Sequence, residues 1–110
     1  MILCTTDHVA GHEMIECLGL VRGNTVRARH VGRDIVASLR NVVGGEIDEY
    51  TKMLAEAREQ ALDRMTAEAA RLGADAVVTV RFATAEVMQH AAEVVAYGTA
   101  VRLRKGGAGE

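Results

Sequence analysis

The sequence contains no proline and no tryptophan, and it has only one Phe and two Tyr among its 110 residues. So few aromatic rings argue against a stacking platform for single-stranded nucleic acid. The two cysteines, Cys4 and Cys17, are too few for a disulfide scaffold. The sequence has no stretch of about eighteen uncharged apolar residues that would predict a membrane span. The N-terminus lacks the pattern of a signal peptide. We therefore expect a cytoplasmic protein with reduced thiols.

The residues that are present indicate a globular chain, with 49% hydrophobic and 25% charged residues. Thirteen basic residues stand against 15 acidic ones, so the net charge of −2 predicts no attraction to nucleic acid or to membranes. We expect a single domain over residues 1–105 and a flexible tail over 106–110. Because the apolar residues are nearly all aliphatic, the small core is expected to require additional burial against partner subunits.

The N-terminal third has the composition of β-structure. Ile2 and Leu3 predict a first strand, and the polar stretch from Asp7 to Glu13 predicts a turn or loop. A long β-type stretch rich in Val, Ile and Thr runs from Met14 to His30. Since Gly19 and Gly23 interrupt it, we expect either a bulge or a hairpin turn around residues 22–25.

Two helices are predicted next. Arg33–Val43 predicts a short helix, and Glu46–Leu72 predicts a long one because it contains no Gly and many good helix formers. Gly73 is expected to cap its C-terminus. At ~1.5 Å per residue the long helix would span about 40 Å, so it is expected to reach a neighbouring subunit. Its predicted apolar stripe consists of Ile47, Tyr50, Leu54, Ala57, Ala61, Met65, Ala69 and Leu72.

Two strands complete the predicted fold, Asp75–Ala85 and Glu93–Arg104, with a turn at Met88–His90. In the first, Val78, Val80 and Phe82 are expected to share one face. The second is apolar on both faces, so it must be covered twice. The chain offers too few helices for this, and the second face is therefore predicted to be an oligomer interface.

Four residues near the N-terminus could bind a metal, and they are Cys4, His8, His12 and Cys17. Thiolate and imidazole are ligands of soft divalent metals such as Zn²⁺ and of Cu(I). Two paired strands joined by a loop could bring such groups together, and Glu13 could replace one ligand. The alternative is that Cys17 is a small buried residue, Cys4 a strand residue and the two histidines surface groups.

Weaker candidates lie elsewhere in the chain. Gly44–Glu46 could hold an anion at the start of the long helix, although a cap and turn is the simpler interpretation. Arg33, Asp34 and Arg40 could form a surface ion pair, a network between subunits or an anion pocket at an interface. Met88 and His90 could be soft-metal ligands or ordinary loop residues. A Cys–His pair could serve a thiol-dependent enzyme, but nothing supplies an orienting group, so we expect no enzyme.

Several motifs together resemble a known family. They are the VVGGE segment of 42–46 followed by Tyr50, the LGADAVV segment of 72–78 and the YGTAV segment of 97–101. In this order and spacing they are similar to the YbjQ-like family, whose label names a heavy-metal-binding domain. The resemblance covers Ile2 to Arg104.

The resemblance implies an α+β fold in which a small β-sheet packs on one long helix plus one short helix, in a ring-like homo-oligomer, a pentamer. It implies no known reaction. Cys4 stands where such proteins usually have Ser or Thr, so a metal role for Cys4 would belong to this chain alone. We therefore predict a homo-oligomeric protein that binds a heavy metal or a small ligand. The alternatives are a purely structural oligomer and, thirdly, a thiol-dependent enzyme.

Overall fold

The long helix is the element that the sequence predicts most directly, and a computed structural model places it at Gly45–Arg71. The structure describes residues 1–28, 45–88 and 91–106. Within these ranges the chain has the α+β fold expected from the sequence, with one helix and one mixed sheet. The elements are β1 (Ile2–Leu3), β2 (His12–Ala28), α1 (Gly45–Arg71), β3 (Ala76–Met88) and β4 (Ala91–Lys105).

Some predicted segments lie outside the described residues. These are the short helix Arg33–Val43, the turn residues Gln89 and His90, and all of the tail except Gly106. The N–H group of Gly106 donates a hydrogen bond to the carbonyl of Gly11 over 2.7 Å.

The C-terminus of α1 is closed by the glycine that the sequence predicts. Gly73 has a φ of 81°, a left-handed conformation that costs glycine little. Its N–H donates to Ala70 O (3.0 Å), and the N–H of Ala74 donates to Ala69 O (3.1 Å). This pair of bonds is the Schellman motif, which satisfies carbonyls that the last turn would otherwise leave without partners. The predicted cap is confirmed.

The four strands form one sheet in the order β1-β3-β4-β2. β4 runs antiparallel to both of its neighbours, and the short β1 runs parallel to β3. The N-terminal segment stays on β3 beyond Leu3, because Val80 N–H donates to Cys4 O (3.0 Å) and Thr79 N–H donates to Thr6 O (2.8 Å). Thr79 has a φ of 55°, and the register of β3 against β4 shifts at this point, between Val78 and Arg81.

Strand β2 is continuous, so the alternative of a hairpin turn around residues 22–25 is wrong. Arg22 pairs with Tyr97 and Thr25 with Val94 in unbroken register. The bulges lie earlier, where Ile15 and Leu18 are each an extra residue without a partner on β4. Gly23 does not mark a turn; instead it allows a close contact with α1, since a Cβ there would lie 2.3 Å from Ala61 O.

The helix packs on the face of the sheet that carries the smaller side chains. Four helix residues at intervals of four are fully buried, and they are Ala57, Ala61, Met65 and Ala69. They pack against Val21, Val77, Val80, Val94, Ala96 and Ala100. Alanine and glycine at the contact allow the helix axis to approach the sheet closely, which is why a chain with few aromatic residues can still form a dry core.

Two predictions about faces need correction. Leu72 belongs to the predicted apolar stripe, but 44% of its surface is exposed because it follows the last helical residue. The alternation of the sequence predicts that Val78 and Val80 share a face. The irregularity at Thr79 instead places Val80 with Val77 in the helix-facing core, and Val78 in a second cluster with Ala76 and Val101.

Candidate metal centre

Cys4 lies on the N-terminal segment that follows β1, and it is half-buried. It packs against the second cluster of Ala76, Val78 and Val101. The groups around its sulfur are main-chain oxygens, with His8 O at 3.7 Å and Thr6 O at 3.9 Å. Carbonyl oxygens are weak partners for a thiol, so Cys4 behaves mainly as a small apolar residue.

His8 lies in the loop before β2, and His12 is the first residue of β2. The Nδ1 atom of His8 lies 2.9 Å from a carboxylate oxygen of Asp7, and this contact lowers the pKa of the Asp7 carboxyl. The hydrogen bond to His8 is the largest cause of the shift, and the charge of a protonated His8 adds to it. Nδ1 of His12 donates to Ala10 O over 3.1 Å, which leaves Nε2 as the atom with a free lone pair.

Cys17 lies on β2, on the sheet face opposite α1. We call this surface the open face and define it by residues that line it: Met14, Cys17, Leu20, Val78, Tyr97 and Val101. Cys17 is exposed and pairs with Val101, while Met14 pairs with Leu103. The side chains of Met14 and Cys17 border a shallow cavity of about 360 Å³ whose floor includes Val78 and Val101.

The four predicted ligands do not gather into one site. Cys4 and Cys17 belong to strand positions separated by β3 and β4, which at ~4.8 Å per strand places their backbones about 14 Å apart. Over residues 1–28, 45–88 and 91–106, no group of three or more His, Cys, Asp or Glu side chains could hold a metal ion. The four-ligand set stays a prediction. Within one chain, the sulfur-bearing residues Met14 and Cys17 line the same cavity.

Sequence reasoning missed Met14 as a candidate. Residues 14 and 17 are three apart, and in a regular strand such residues point to opposite faces. The bulge at Ile15 adds one residue and so brings Met14 and Cys17 to the same face. The composition signalled a bulge at Gly19 or Gly23, but no residue type at position 15 indicates one.

The carboxylates of Glu16 and Glu13 are engaged with arginines, although Glu16 also borders the cavity. Glu16 Oε1 lies 3.0 Å from Arg102 Nε, and Glu13 pairs with Arg104. Both carboxylates already have partners, and each alternates in register with the open-face residues. The expected replacement of a ligand by Glu13 therefore has no support in this geometry.

The remaining candidates contribute little. Arg33, Asp34, Arg40 and His90 lie outside the described residues, and Met88 ends β3 with 66% of its surface exposed. On the basic strand β2, Arg27 donates to Gln60 Oε1 over 3.0 Å. Glu68 of the acidic helix accepts from the backbone N–H of Arg22. In the described part of the chain, no helix is long and apolar enough to cross a bilayer.

The fold and the sulfur-bearing open face define a small α+β domain of sheet on helix. A family model described as "Putative heavy-metal-binding" (YbjQ_1) matches residues 1–104. The chain belongs to this YbjQ-like family, as the resemblance in the sequence predicted. A heavy-metal ion is thus the ligand that the family description names, and the open-face sulfurs are donors that fit a soft metal.

Relatives support the same assignment. A UPF0145 protein of Dehalococcoides mccartyi is 62% identical over 101 residues, which cover 92% of this chain and 97% of the relative. A UPF0145 protein of Archaeoglobus fulgidus is 62% identical over 104 residues, covering 94% and 96%. A crystal structure of a protein of unknown function from Pediococcus pentosaceus, of the DUF74 family, has the same fold. It matches with a TM-score of 0.65 at 18% identity, over 94% of this chain and 98% of that one.

Proposed function

We propose that this protein assembles with copies of itself through the open face, and that the assembly binds a soft heavy-metal ion. The observation that carries the proposal is an apolar sheet face with sulfur donors on it. Among the described residues, Cys4 and Val9 of the N-terminal segment pack on one part of this face, while Met14, Leu20 and Val26 stay exposed. The proposal assigns no catalytic reaction to the chain. The subunit number that the resemblance implies is a pentamer, and the two free cysteines fit a reducing, cytoplasmic compartment.

The open face exposes large apolar side chains that a folded chain would ordinarily bury. Leu20 is 64% exposed, Val26 on the same face is 56% exposed and Met14 is 45% exposed. A sheet that is apolar on both faces needs a layer on each. α1 supplies the layer on one side, and a second copy of the chain would supply the other.

The shape of the chain supports the same conclusion. Its radius of gyration is 18.4 Å and it extends 63 × 24 × 16 Å. A compact domain of this size has a radius of gyration of about 13 Å. An elongated chain has more surface for its volume and therefore a thinner core, so burial between subunits would contribute a larger share of its stability.

Analytical ultracentrifugation of the reduced full-length protein tests the assembly. The wild type should sediment as an oligomer at micromolar concentration, and Leu20→Glu should shift the protein toward monomer because it places a charge in an apolar interface. Ala67→Glu is the matched control, since it puts the same charge on an exposed position of α1. A wild type that stays monomeric over the whole concentration range would overturn the assembly.

The metal half of the proposal rests on the family description and on the position of Cys17, an exposed thiol beside a cavity. Its test is the metal content of reduced protein after loading with Cu(I) or Zn²⁺ and desalting. A stoichiometric metal supports the proposal. An oligomer that retains none would favour the alternative of a purely structural assembly.

A thiol-dependent enzyme is the third alternative, and the geometry favours it least. The sulfur of Cys4 faces carbonyl oxygens, and both histidine rings use Nδ1 for local contacts within the loop. A nucleophilic thiol needs an adjacent base that is itself oriented by a third group.

A further inference from the structure

We infer that Met14 and Cys17 together form the metal site, and that its ion is Cu(I) held between a thioether and a thiolate. The inference rests on the proposed soft-metal function and names its ligands. Neither residue could be paired in this way from sequence spacing alone, because the pairing depends on the bulge in β2.

The strand pairing places the two sulfur-bearing residues on the same face of the sheet. Opposite β2, the partners of Met14 and Cys17 are Leu103 and Val101, which are two residues apart on β4 and share a face. At ~3.4 Å per residue the two backbones are then about 7 Å apart. The Met side chain has three rotatable bonds beyond Cα, so its sulfur can turn toward the Cys17 thiol.

The bulge in β2 is the feature that brings Met14 and Cys17 to one face. Ile15 occupies the extra position, where its apolar side chain is left 49% exposed. Without this residue in excess, Met14 and Cys17 would point to opposite sides of the sheet. Bulges commonly re-aim a side chain next to a functional site, so the bulge is an observation independent of the sulfurs.

The two sulfur ligands determine which ion the site would bind. Thiolate and thioether ligands select soft ions such as Cu(I), whereas hard cations need oxygen ligands. The nearby carboxylates of Glu13 and Glu16 are paired with arginines, and the Glu16 carboxylate is thereby engaged although this residue borders the cavity. Zn²⁺ takes four ligands in closed sites, and this pair supplies two. One thiolate also balances the single charge of Cu(I), so the bound ion would add no net charge to an apolar surface.

The site is also the right kind of surface to exclude water. Val78 and Val101 are nearly fully buried beneath the cavity, and they form its floor beside Cys17. If the open face is covered by a second copy, the ion is enclosed in an apolar interface. Sulfur–copper bonds are then protected from solvent and oxidant without any further ligand from the chain.

The test is an anaerobic titration of the reduced full-length protein with Cu(I), in competition with a chromophoric Cu(I) chelator. Cys17→Ser and Met14→Leu should each weaken Cu(I) binding by at least about tenfold. Leu keeps the apolar character and approximate volume of Met but removes the sulfur. Cys4→Ser and Met88→Leu are the controls: the first removes the other thiol, which packs against the cluster of Val78 and Val101, and the second removes an exposed thioether at the end of β3.

A second readout separates ligation from structure. In protein labelled with ¹³C at the Met methyl groups, the Met14 methyl resonance should shift on addition of Cu(I), while that of Met88 should not. Sedimentation of all four variants in the absence of metal shows whether any of them changes the assembly, so a structural effect is recognised as such.

The outcomes distinguish the site from the function. Weakened binding in Cys17→Ser and Met14→Leu, with both controls unchanged, supports the site. Wild-type affinity in those two variants overturns the site but leaves the soft-metal function standing. Binding lost only in Cys4→Ser also overturns the pair. If the wild type binds no Cu(I) but retains Zn²⁺, the site is wrong and the metal function survives; if it binds neither, both are wrong.

Discussion

At the scale of single residues, neighbours in the sequence are poor guides to neighbours in space. The four predicted ligands, Cys4, His8, His12 and Cys17, fall within 14 positions. The fold nevertheless places Cys4 on one side of β3 and Cys17 on β2, with β4 also between them. The residue pair that lines one cavity, Met14 with Cys17, would be dismissed from spacing alone.

The contact between Asp7 and His8 predicts a measurable titration. Because His8 lowers the pKa of the Asp7 carboxyl, His8→Ala should raise that pKa toward its usual value near 3.8. NMR of the Asp7 carboxyl carbon as a function of pH measures it. High salt should reduce the difference between the two proteins, since both groups are exposed and the charge interaction is screened.

The sign for stability follows from the direction of the shift. A carboxyl whose pKa is lowered on folding stabilises the protein above its unfolded pKa, and this contribution is lost as the pH falls through the folded pKa. The effect is therefore confined to acid conditions, and it is small because solvent surrounds both side chains. An Asp7 carboxyl that titrates identically in the wild type and in His8→Ala would contradict the interaction.

At the scale of elements, the packing of α1 on β2 depends on the absence of one side chain. A Cβ at Gly23 would lie 2.3 Å from both Ala61 O and Met65 N, and 2.7 Å from Arg64 Cβ. These are helix atoms that cannot rotate away, so the whole of α1 would have to move.

Gly23→Ala should therefore destabilise the fold by about 3 kcal/mol, the upper end of the cost of overpacking. Urea denaturation followed by circular dichroism measures the free energy of unfolding. Thr84→Ala, an exposed strand position, is the control and should change it by less than ~0.5 kcal/mol. Equal stability of Gly23→Ala and wild type would mean that α1 does not sit against β2 as described.

At the scale of the whole molecule, the core is thin and one sheet face is covered only in part by the described residues. In the part of the chain whose burial the structure describes, fourteen apolar residues are buried, and these are Ala, Val or Met. Side chains of this size bury little area each, so the free energy of unfolding of a single chain is expected to be small. Association would add burial of the open face to the same folding equilibrium.

Coupled folding and assembly predicts that the melting temperature rises with protein concentration, because only the folded state associates. Differential scanning calorimetry of the reduced protein over a hundredfold range of concentration measures this. Leu20→Glu should melt at a temperature that no longer depends on concentration. A wild-type melting temperature that is constant over the range would argue against an obligate assembly.

The sequence by itself determined the class of fold, the long helix with its glycine cap, the loop before β2 and the family. Each of these depends on local patterns: helix formers without Gly from 46 to 72, glycine at 73, and motifs of fixed spacing. Local patterns are readable because their physical cause lies within a few residues.

Only the tertiary structure decided which residues share a surface. The irregularities at Ile15, Leu18 and Thr79 each shift the alternation of a strand, and each is stabilised by pairing with a distant strand. An extra residue reverses the facing of every side chain beyond it, so one bulge outweighs any prediction from period two. For this reason Val78 lies outside the helix-facing core, and Met14 lies on the same face as Cys17.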